Sequence, residues 1–425
     1  MFNLDDVVTM RVTKVETIVL SAPHPRKEYW GARAWAKDYR RQGERSPDLE
    51  DTYPLRWRMR HYWSSAINTC LVKVTTDDGI IGYGESKAVI APEMIKLYID
   101  KYLSKLIIGE DPFYTRVLWD RMQASMRGRG HIQGFHQEAA AGIDIALWDI
   151  KGRATGRPIV DLLGGKYRDR IRVYYSSLPG VQDVDNEDQS RRLADEARLA
   201  IDKGFNAVKI AIGFGFKADI KSVDIVRETL GSDILIVVDA LGSYDYTQAL
   251  RLSELLAEKG VGWLEAPLAT DDFDGYVRLS QRSPIYIAND LVWTSGIVAD
   301  MLSRGAKMIV QPEVIKVGIT ECQRIAEIAD EYGSPYAPHV SIGSAIEFAS
   351  TVHLAASAPN FIISEYWAGE NPLGNQILKK PLEFNNGFLV VPSAPGLGVE
   401  VDLSRIKEFE QTSVSDKIIG IDLQV

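Results

Sequence analysis

Seven polar residues, 23–30 positions apart, close short apolar runs along the second half of the sequence: Lys209, Asp239, Glu265, Asp290, Glu313, His339 and Glu365. A carboxylate at the end of an apolar run is costly to bury unless a partner or a metal takes up its charge. Asp239, Glu265 and Asp290 close three successive runs. Three hard oxygen donors that leave room for water or substrate suit Mg²⁺ rather than a soft metal. One such acid alone would more often cap the next helix or pair with Lys or Arg; it is the shared register of three that points to a metal. A lone histidine at the end of a run would likewise be structural more often than not. Here Glu313 stands one run before His339, and a histidine–carboxylate pair makes a base poised near neutral pH with its tautomer fixed. Beside a dication, that base suits removal of a proton α to a carboxylate, because the metal stabilises the negative charge that develops.

The runs carrying these residues are IRVYYSS, AVKIAI, ILIVVDA, GWLEAP, IYIAND, MIVQPE, SPYAPH and FIISEY, from near Ser177 to near Tyr366. Segments of helical period such as DQSRRLADEARLAIDKG and TQALRLSELLAEKG separate them, the alternation that builds parallel sheet from βα units. Eight strands is the number that closes a TIM barrel, whose catalytic groups sit at strand C-terminal ends. The expected fold is therefore α/β, a (β/α)8 TIM barrel over residues 156–385. Residues 1–155 read as a separate α+β unit: VTKVETIVLSA and INTCLVKVTTDDGIIGYGE form a meander with an Asp-Asp-Gly turn, and helices follow through QEAAAGIDIALWDIKGRATG. Residues 386–425, with FLVVPSAPGLGVEVD, are expected to return the chain from the barrel to that unit.

Composition narrows the partners. A chain of 425 residues that is 45% hydrophobic and 25% charged has the make-up of a globular protein with a sizeable core. Lys+Arg of 49 against Asp+Glu of 58 gives a net charge of −9, which repels phosphate backbones and anionic membrane surfaces, so neither nucleic acid nor membrane is an expected partner. Cys70 and Cys322 stand far apart and in no metal-binding spacing, which suits a reducing compartment. With an acidic N-terminal stretch and no long apolar run, a cytoplasmic protein is expected. Residues 21–62 depart from this average, with ten Lys/Arg against six Asp/Glu interleaved with Trp30, Trp35, Tyr39 and Trp57. That segment reads equally as a lid that closes over the barrel mouth and binds a second anionic or polyhydroxylated end of the substrate, or as a solvated or oligomer-contact loop. Arg127-Gly128-Arg129-Gly130-His131 is a second basic knot with the same two readings. A homo-oligomer is expected.

Several motifs resemble the mandelate racemase branch of the enolase superfamily, in order along nearly the whole chain: Ala146-Leu147-Trp148-Asp149-Ile150-Lys151-Gly152, Leu162-Leu163-Gly164-Gly165, Val238-Asp239-Ala240, Trp263-Leu264-Glu265-Ala266-Pro267 and Pro395-Gly396-Leu397-Gly398-Val399-Glu400. The resemblance implies an N-terminal capping domain, a barrel of (β/α)7β type, one Mg²⁺ and proton abstraction α to a carboxylate. It implies dehydration of an acid sugar to a 2-keto-3-deoxy acid, or else racemisation, epimerisation or cycloisomerisation of a carboxylate. Asp239 and Glu265 match the first two metal ligands. Asp290 is the carboxylate available for the third, although Asp290-Leu291 stands where the family shows Gly-Glu or Asp-Glu. His339 matches the catalytic histidine, Glu313 stands where the family has an aspartate that orients it, Glu365 matches an acid that hydrogen-bonds substrate, and Lys209 matches a lysine that contacts the substrate carboxylate.

Two departures bear on the chemistry. The family's Lys-x-Lys is Lys209-Ile210-Ala211, which removes a second base, and its Asp-x-Asn is Asp239-Ala240-Leu241, which removes a polar group near the metal. Dehydration survives that loss better than racemisation, because one base can take the α-proton and return it to the departing β-hydroxyl in a syn elimination. The same departures also fit a metal-binding relative without turnover. Gly213-Phe214-Gly215-Phe216-Lys217-Ala218 imitates a dinucleotide fingerprint, but that reading leaves the three-carboxylate register without a role.

Overall fold

The computed structural model describes residues 10–23, 62–64, 66–290, 294–367, 371–411 and 421–423. Most of the basic segment 21–62, from residue 24 to residue 61, lies outside them, as does Leu291. The N-terminal sheet comprises β1 (Val12–Pro23), β3 (Ala66–Thr76) and β4 (Ile81–Lys87), antiparallel in the order β1-β3-β4. A short strand β2 (Tyr62–Ser64) pairs instead with Ile421–Leu423 near the C-terminus. The expected turn is present, with Gly79 at φ 77° after two aspartates. The helices of this unit include α1 (Thr115–Arg127) and α2 (Phe135–Thr155). The sheet presses directly on α2: a Cβ at Gly84 would run into the Gly142 carbonyl, and one at Gly82 into that of Ala146. Glycine permits that approach, which fixes β4 and aims its last residues.

The larger sheet is parallel and follows the expected alternation. Its strands are β5 (Arg170–Leu178), β6 (Ala207–Ala211), β7 (Leu235–Asp239), β8 (Val261–Glu265), β9 (Tyr286–Asn289) and β10 (Met308–Val310), hydrogen-bonded in chain order. β11 (Ser364–Trp367) pairs in parallel with β5 on the other side. Between consecutive strands run α3 (Glu187–Asp202), α4 (Phe216–Leu230), α5 (Tyr246–Glu258), α6 (Phe273–Arg282) and α7 (Ser295–Ser303), followed by α8 (Val314–Glu331) and α9 (Ala345–Ser357). Local signals set the helix starts: Asn186 accepts from the backbone of Asp188 and Gln189, and Asp245 with Gln248 forms a capping box. Strands β6 and β7 are buried almost throughout, as expected of parallel sheet covered on both faces.

Two expectations are corrected. The run SPYAPH forms no strand; it meets its neighbours through single-residue bridges, Tyr336 with Val310 and Phe361 and His339 with Glu313. Pro335 and Pro338 lack the N–H groups that a continuous ladder needs. Likewise Glu313 does not close β10 but stands three residues further on, past Pro312, at the N-cap position of α8 with no side-chain capping bond, and Lys209 sits in the middle of β6 rather than at its end. A separate apolar cluster takes one residue from each of the eight segments, Tyr174, Ala207, Val237, Trp263, Ala288, Ile309, Ala337 and Ile363. The C-terminal part divides its contacts: β13 (Phe388–Val390), which pairs with β12 (Phe384–Asn385), joins β5 antiparallel, whereas Glu410 bridges Leu20 of β1. No helix among the described residues is long and apolar enough to cross a membrane.

Candidate active site

All seven residues singled out by spacing are buried, and they converge. Lys209 Nζ donates to Glu265 Oε1 (2.7 Å), lies 2.9 Å from Glu365 Oε1 and 3.7 Å from Asp239 Oδ2. Burial alone would depress this ammonium, but Glu265 and Glu365 outweigh it and hold its pKa well above the usual lysine value. The other oxygen of Glu265 accepts from Trp263 Nε1 (3.1 Å) and Gln311 Nε2 (2.8 Å). Burial, with Glu265 adding repulsion, pushes Asp239 well above the ordinary carboxylate range.

His339 occupies the other side of the cluster. Its Nδ1 lies 2.9 Å from Glu313 Oε2, while Nε2 is 3.2 Å from Glu365 Oε2 and 3.6 Å from Asp290 Oδ2. Burial works to raise the Glu313 carboxyl, but Lys316 and Lys87 overwhelm it and hold the group well below the usual range. An ionised Glu313 can only accept, so His339 Nδ1 carries the hydrogen and Nε2 faces the site. Burial pulls the His339 pKa down, yet Glu365, Glu313 and Asp290 together raise it above the usual imidazole value. Asp290 is held low by His339, Lys316 and Lys209 against the opposing effect of burial.

Four residues outside the expected set complete this side. Lys87 Nζ, from the end of β4, reaches both oxygens of Glu313 (2.9 and 3.0 Å) and Ser341 Oγ (2.8 Å). Lys316 Nζ lies 2.8 Å from Glu313 Oε2, and the Ser341 hydroxyl donates to Oε1. Two residues earlier on the same face of β4, Glu85 accepts from the Ser344 amide (2.7 Å), the Ser344 hydroxyl (2.6 Å) and the Glu347 amide (3.0 Å), so a residue of the N-terminal unit caps α9. One strand end thus grips the loops that carry both members of the histidine–carboxylate pair. Sequence spacing gives no hint of Lys87, whose partner lies 226 residues away.

Leu241 and Ala266, next to Asp239 and Glu265, hold left-handed backbone at φ 51° and 41°. That is strained geometry for residues with a Cβ, of the kind stored at functional sites. Leu241 N donates to Asp239 Oδ1 (3.0 Å), which fixes the carboxylate. The dinucleotide reading fails here: the Gly213 and Phe214 amides that would cradle a phosphate already donate to Asp219 Oδ1 (2.9 and 3.0 Å).

The donor chemistry suits a divalent ion. Asp239, Glu265, Asp290, Glu313 and Glu365 are all buried, whereas the cations in contact with them are Lys209, Lys87, Lys316 and a histidine. Asp290 Oδ1 is buried with no hydrogen-bond partner among the described residues. A dication relieves both the charge excess and the orphaned oxygen. Among the described residues one trio offers ligand atoms all within 4.8 Å of one another, Glu265, Asp290 and His339; Asp239 is not a member of it.

An α+β unit docked on a parallel α/β sheet, with acids, a lysine and a histidine gathered at its rim, has solved counterparts. A member of the enolase superfamily from Agrobacterium tumefaciens matches with a TM-score of 0.82 at 27% identity, over 95% of this chain and 99% of that one. The mandelate racemase / muconate lactonizing enzyme N-terminal domain matches residues 57–164, and the enolase C-terminal domain-like family matches residues 192–405. The chain belongs to the mandelate racemase / muconate lactonizing enzyme family of the enolase superfamily. It is 34% identical over 349 residues to D-galactarolactone cycloisomerase of Agrobacterium fabrum, covering 80% of this chain and 90% of the relative. It is also 34% identical over 343 residues to arabinonate dehydratase of Saccharolobus solfataricus, covering 80% and 89%. Its relatives are thus enzymes, both lyases and isomerases.

Proposed function

We propose that the protein dehydrates an acid sugar to a 2-keto-3-deoxy acid, with His339 as the one acid–base group. The observation that carries this reading is the His339–Glu313 hydrogen bond of 2.9 Å beside a rim of buried carboxylates. Asp239, Glu265 and Asp290 would hold Mg²⁺, which when bound would supply positive charge to the substrate carboxylate as the α-proton leaves. Lys209 orients that carboxylate. His339 Nε2 takes the α-proton and then hands it to the β-hydroxyl, which departs as water from the same face; the enol that remains becomes the 2-keto product. Glu365, hydrogen-bonded by the Val340 amide (3.1 Å), steadies the substrate's hydroxyl or developing oxyanion. Ala211 in β6 offers no second base, which fits elimination from one face and not racemisation. We read the single-residue bridges at Tyr336 as completing the ring from β10 to β11, a barrel of (β/α)7β type beneath a capping unit. The expected homo-oligomer belongs to the same proposal.

A cycloisomerase on a related carboxylate is the second reading, favoured by the 34% identity to D-galactarolactone cycloisomerase, which equals the identity to arabinonate dehydratase. Incubation with Mg²⁺ and a panel of mono- and diacid sugars and their lactones in D₂O separates the readings. A 2-keto product supports dehydration, and ring opening or deuterium at C2 without that product supports an isomerase. Neither, across a broad panel, points to a metal-binding relative without turnover.

A further inference from the structure

We propose that Glu265, Asp290 and His339 form a second donor set, one that takes a borderline-soft dication such as Zn²⁺ and in doing so occupies the base. The inference rests on the reading above in one respect: Glu265 and Asp290 are shared with the Mg²⁺ site. The two ions are therefore mutually exclusive, and they differ in their third donor, Asp239 for the hard ion and His339 for the softer one.

The geometry points this way in four respects. The three residues present ligand atoms all within 4.8 Å of one another, each of them buried. His339 Nε2 lies 3.6 Å from Asp290 Oδ2, close to the roughly 3.3–3.6 Å that separates two ligands of a tetrahedral ion with bonds of about 2.0–2.2 Å. The Nδ1 hydrogen bond to Glu313, 2.9 Å long, fixes the tautomer that presents the Nε2 lone pair, the carboxylate–histidine arrangement that orients metal-bound imidazoles. The other Asp290 oxygen, Oδ1, belongs to a residue only 7% exposed and has no hydrogen-bond partner among the described residues.

Donor type then sorts the ions. Mg²⁺ demands oxygen ligands and octahedral geometry, whereas Zn²⁺ accepts imidazole and three protein ligands readily. Glu365 Oε2 lies 3.2 Å from the same His339 Nε2. The lone pair that would remove the substrate's α-proton is the one consumed. An ion bound through His339 leaves the fold intact and the base unavailable.

Calorimetric titration of the full chain with ZnCl2 or MgCl2 as the sole ligand tests the proposal, in wild type, Asp239→Asn, His339→Asn and His339→Gln, each first checked for folding by circular dichroism. His339→Asn and His339→Gln are expected to weaken Zn²⁺ by at least about tenfold while Mg²⁺ moves much less, and Asp239→Asn is expected to do the reverse. On wild-type crystals soaked in ZnCl2, anomalous scattering at the zinc edge is expected about 2.0–2.1 Å from His339 Nε2. Unchanged Zn²⁺ affinity in both His339 variants overturns the inference, and so does a zinc peak on Asp239 that leaves His339 free. If Mg²⁺ is unmoved by Asp239→Asn while Zn²⁺ is lost in the His339 variants, the inference stands and the Mg²⁺ reading falls.

Discussion

The two sides of the rim are built to different standards. On the side of α8 and α9, Glu313 accepts from two lysines, a serine and His339, and β4 grips both loops through Lys87 and Glu85. Across the site, Lys209 in the middle of β6 is tied to three carboxylates, Ala211 at the end of that strand is a methyl group, and Leu241 beyond β7 stands in left-handed backbone. On the function proposed above, acid–base capacity lies on one face and not on the other. A site of this kind suits reactions that take and return a proton from a single direction.

The comparison breaks most plainly if the endowed side is not needed. His339→Asn is expected to lower turnover of any substrate found in the panel by about 10²–10⁴-fold, the usual contribution of a general acid–base group. An active variant would remove His339 from its role. Next in size, Lys87→Met is expected to lower kcat by about 10–100-fold with little change in KM, since Lys87 holds Glu313 and Ser341 and is assigned no contact with substrate. Partial recovery in Lys87→Arg distinguishes positioning from a general loss of fold. Equal damage in both, with KM rising, would contradict it.

Ala211→Lys probes the poorer side. A lysine there is expected to introduce exchange or epimerisation at C2 that wild type lacks, read by deuterium incorporation into both stereoisomers; no change would mean that face does not reach the α-carbon. A pH test addresses the interface behind the base. Glu347 is buried against Glu313 and Glu85, and its pKa is raised well above the usual value by burial first and these charges second. A raised carboxyl binds its proton more tightly when folded, so its contribution is full below about pH 4.3 and fades as pH rises through the folded pKa. Glu347→Gln is therefore expected to flatten the fall in melting temperature above that pH, and an unchanged slope would refute the assignment. The smallest effect is expected from Leu241→Asn. Asn tolerates φ 51° where Leu is strained, so unfolding should cost about 1 kcal/mol more, read by denaturant titration.

Much of this site was legible in the sequence because strand ends recur with the βα period. Asp239, Glu265, Asp290, His339 and Glu365 each follow an apolar run, and the sheet gathers them. What the period could not supply was anything from outside it. Lys87 belongs to a meander with its own alternation, and only the docking of β4 on α2, through glycines that admit its backbone, brings it to Glu313. The seventh run failed as a strand because prolines interrupt its donors, although its histidine still arrives: the His339 amide hydrogen-bonds the Pro312 carbonyl (3.2 Å). The trio that includes His339 in place of Asp239 depends on side-chain directions, which spacing alone does not encode.

The grip of β4 has a consequence for how such a molecule can change over generations. A gene that exchanged its first hundred codons with those of a cousin would keep a parallel α/β unit of sound construction and yet lose the brace behind its histidine, unless the incoming strand carried its own acid and lysine at matching places. Heritable novelty is therefore easiest on the far rim, away from that brace.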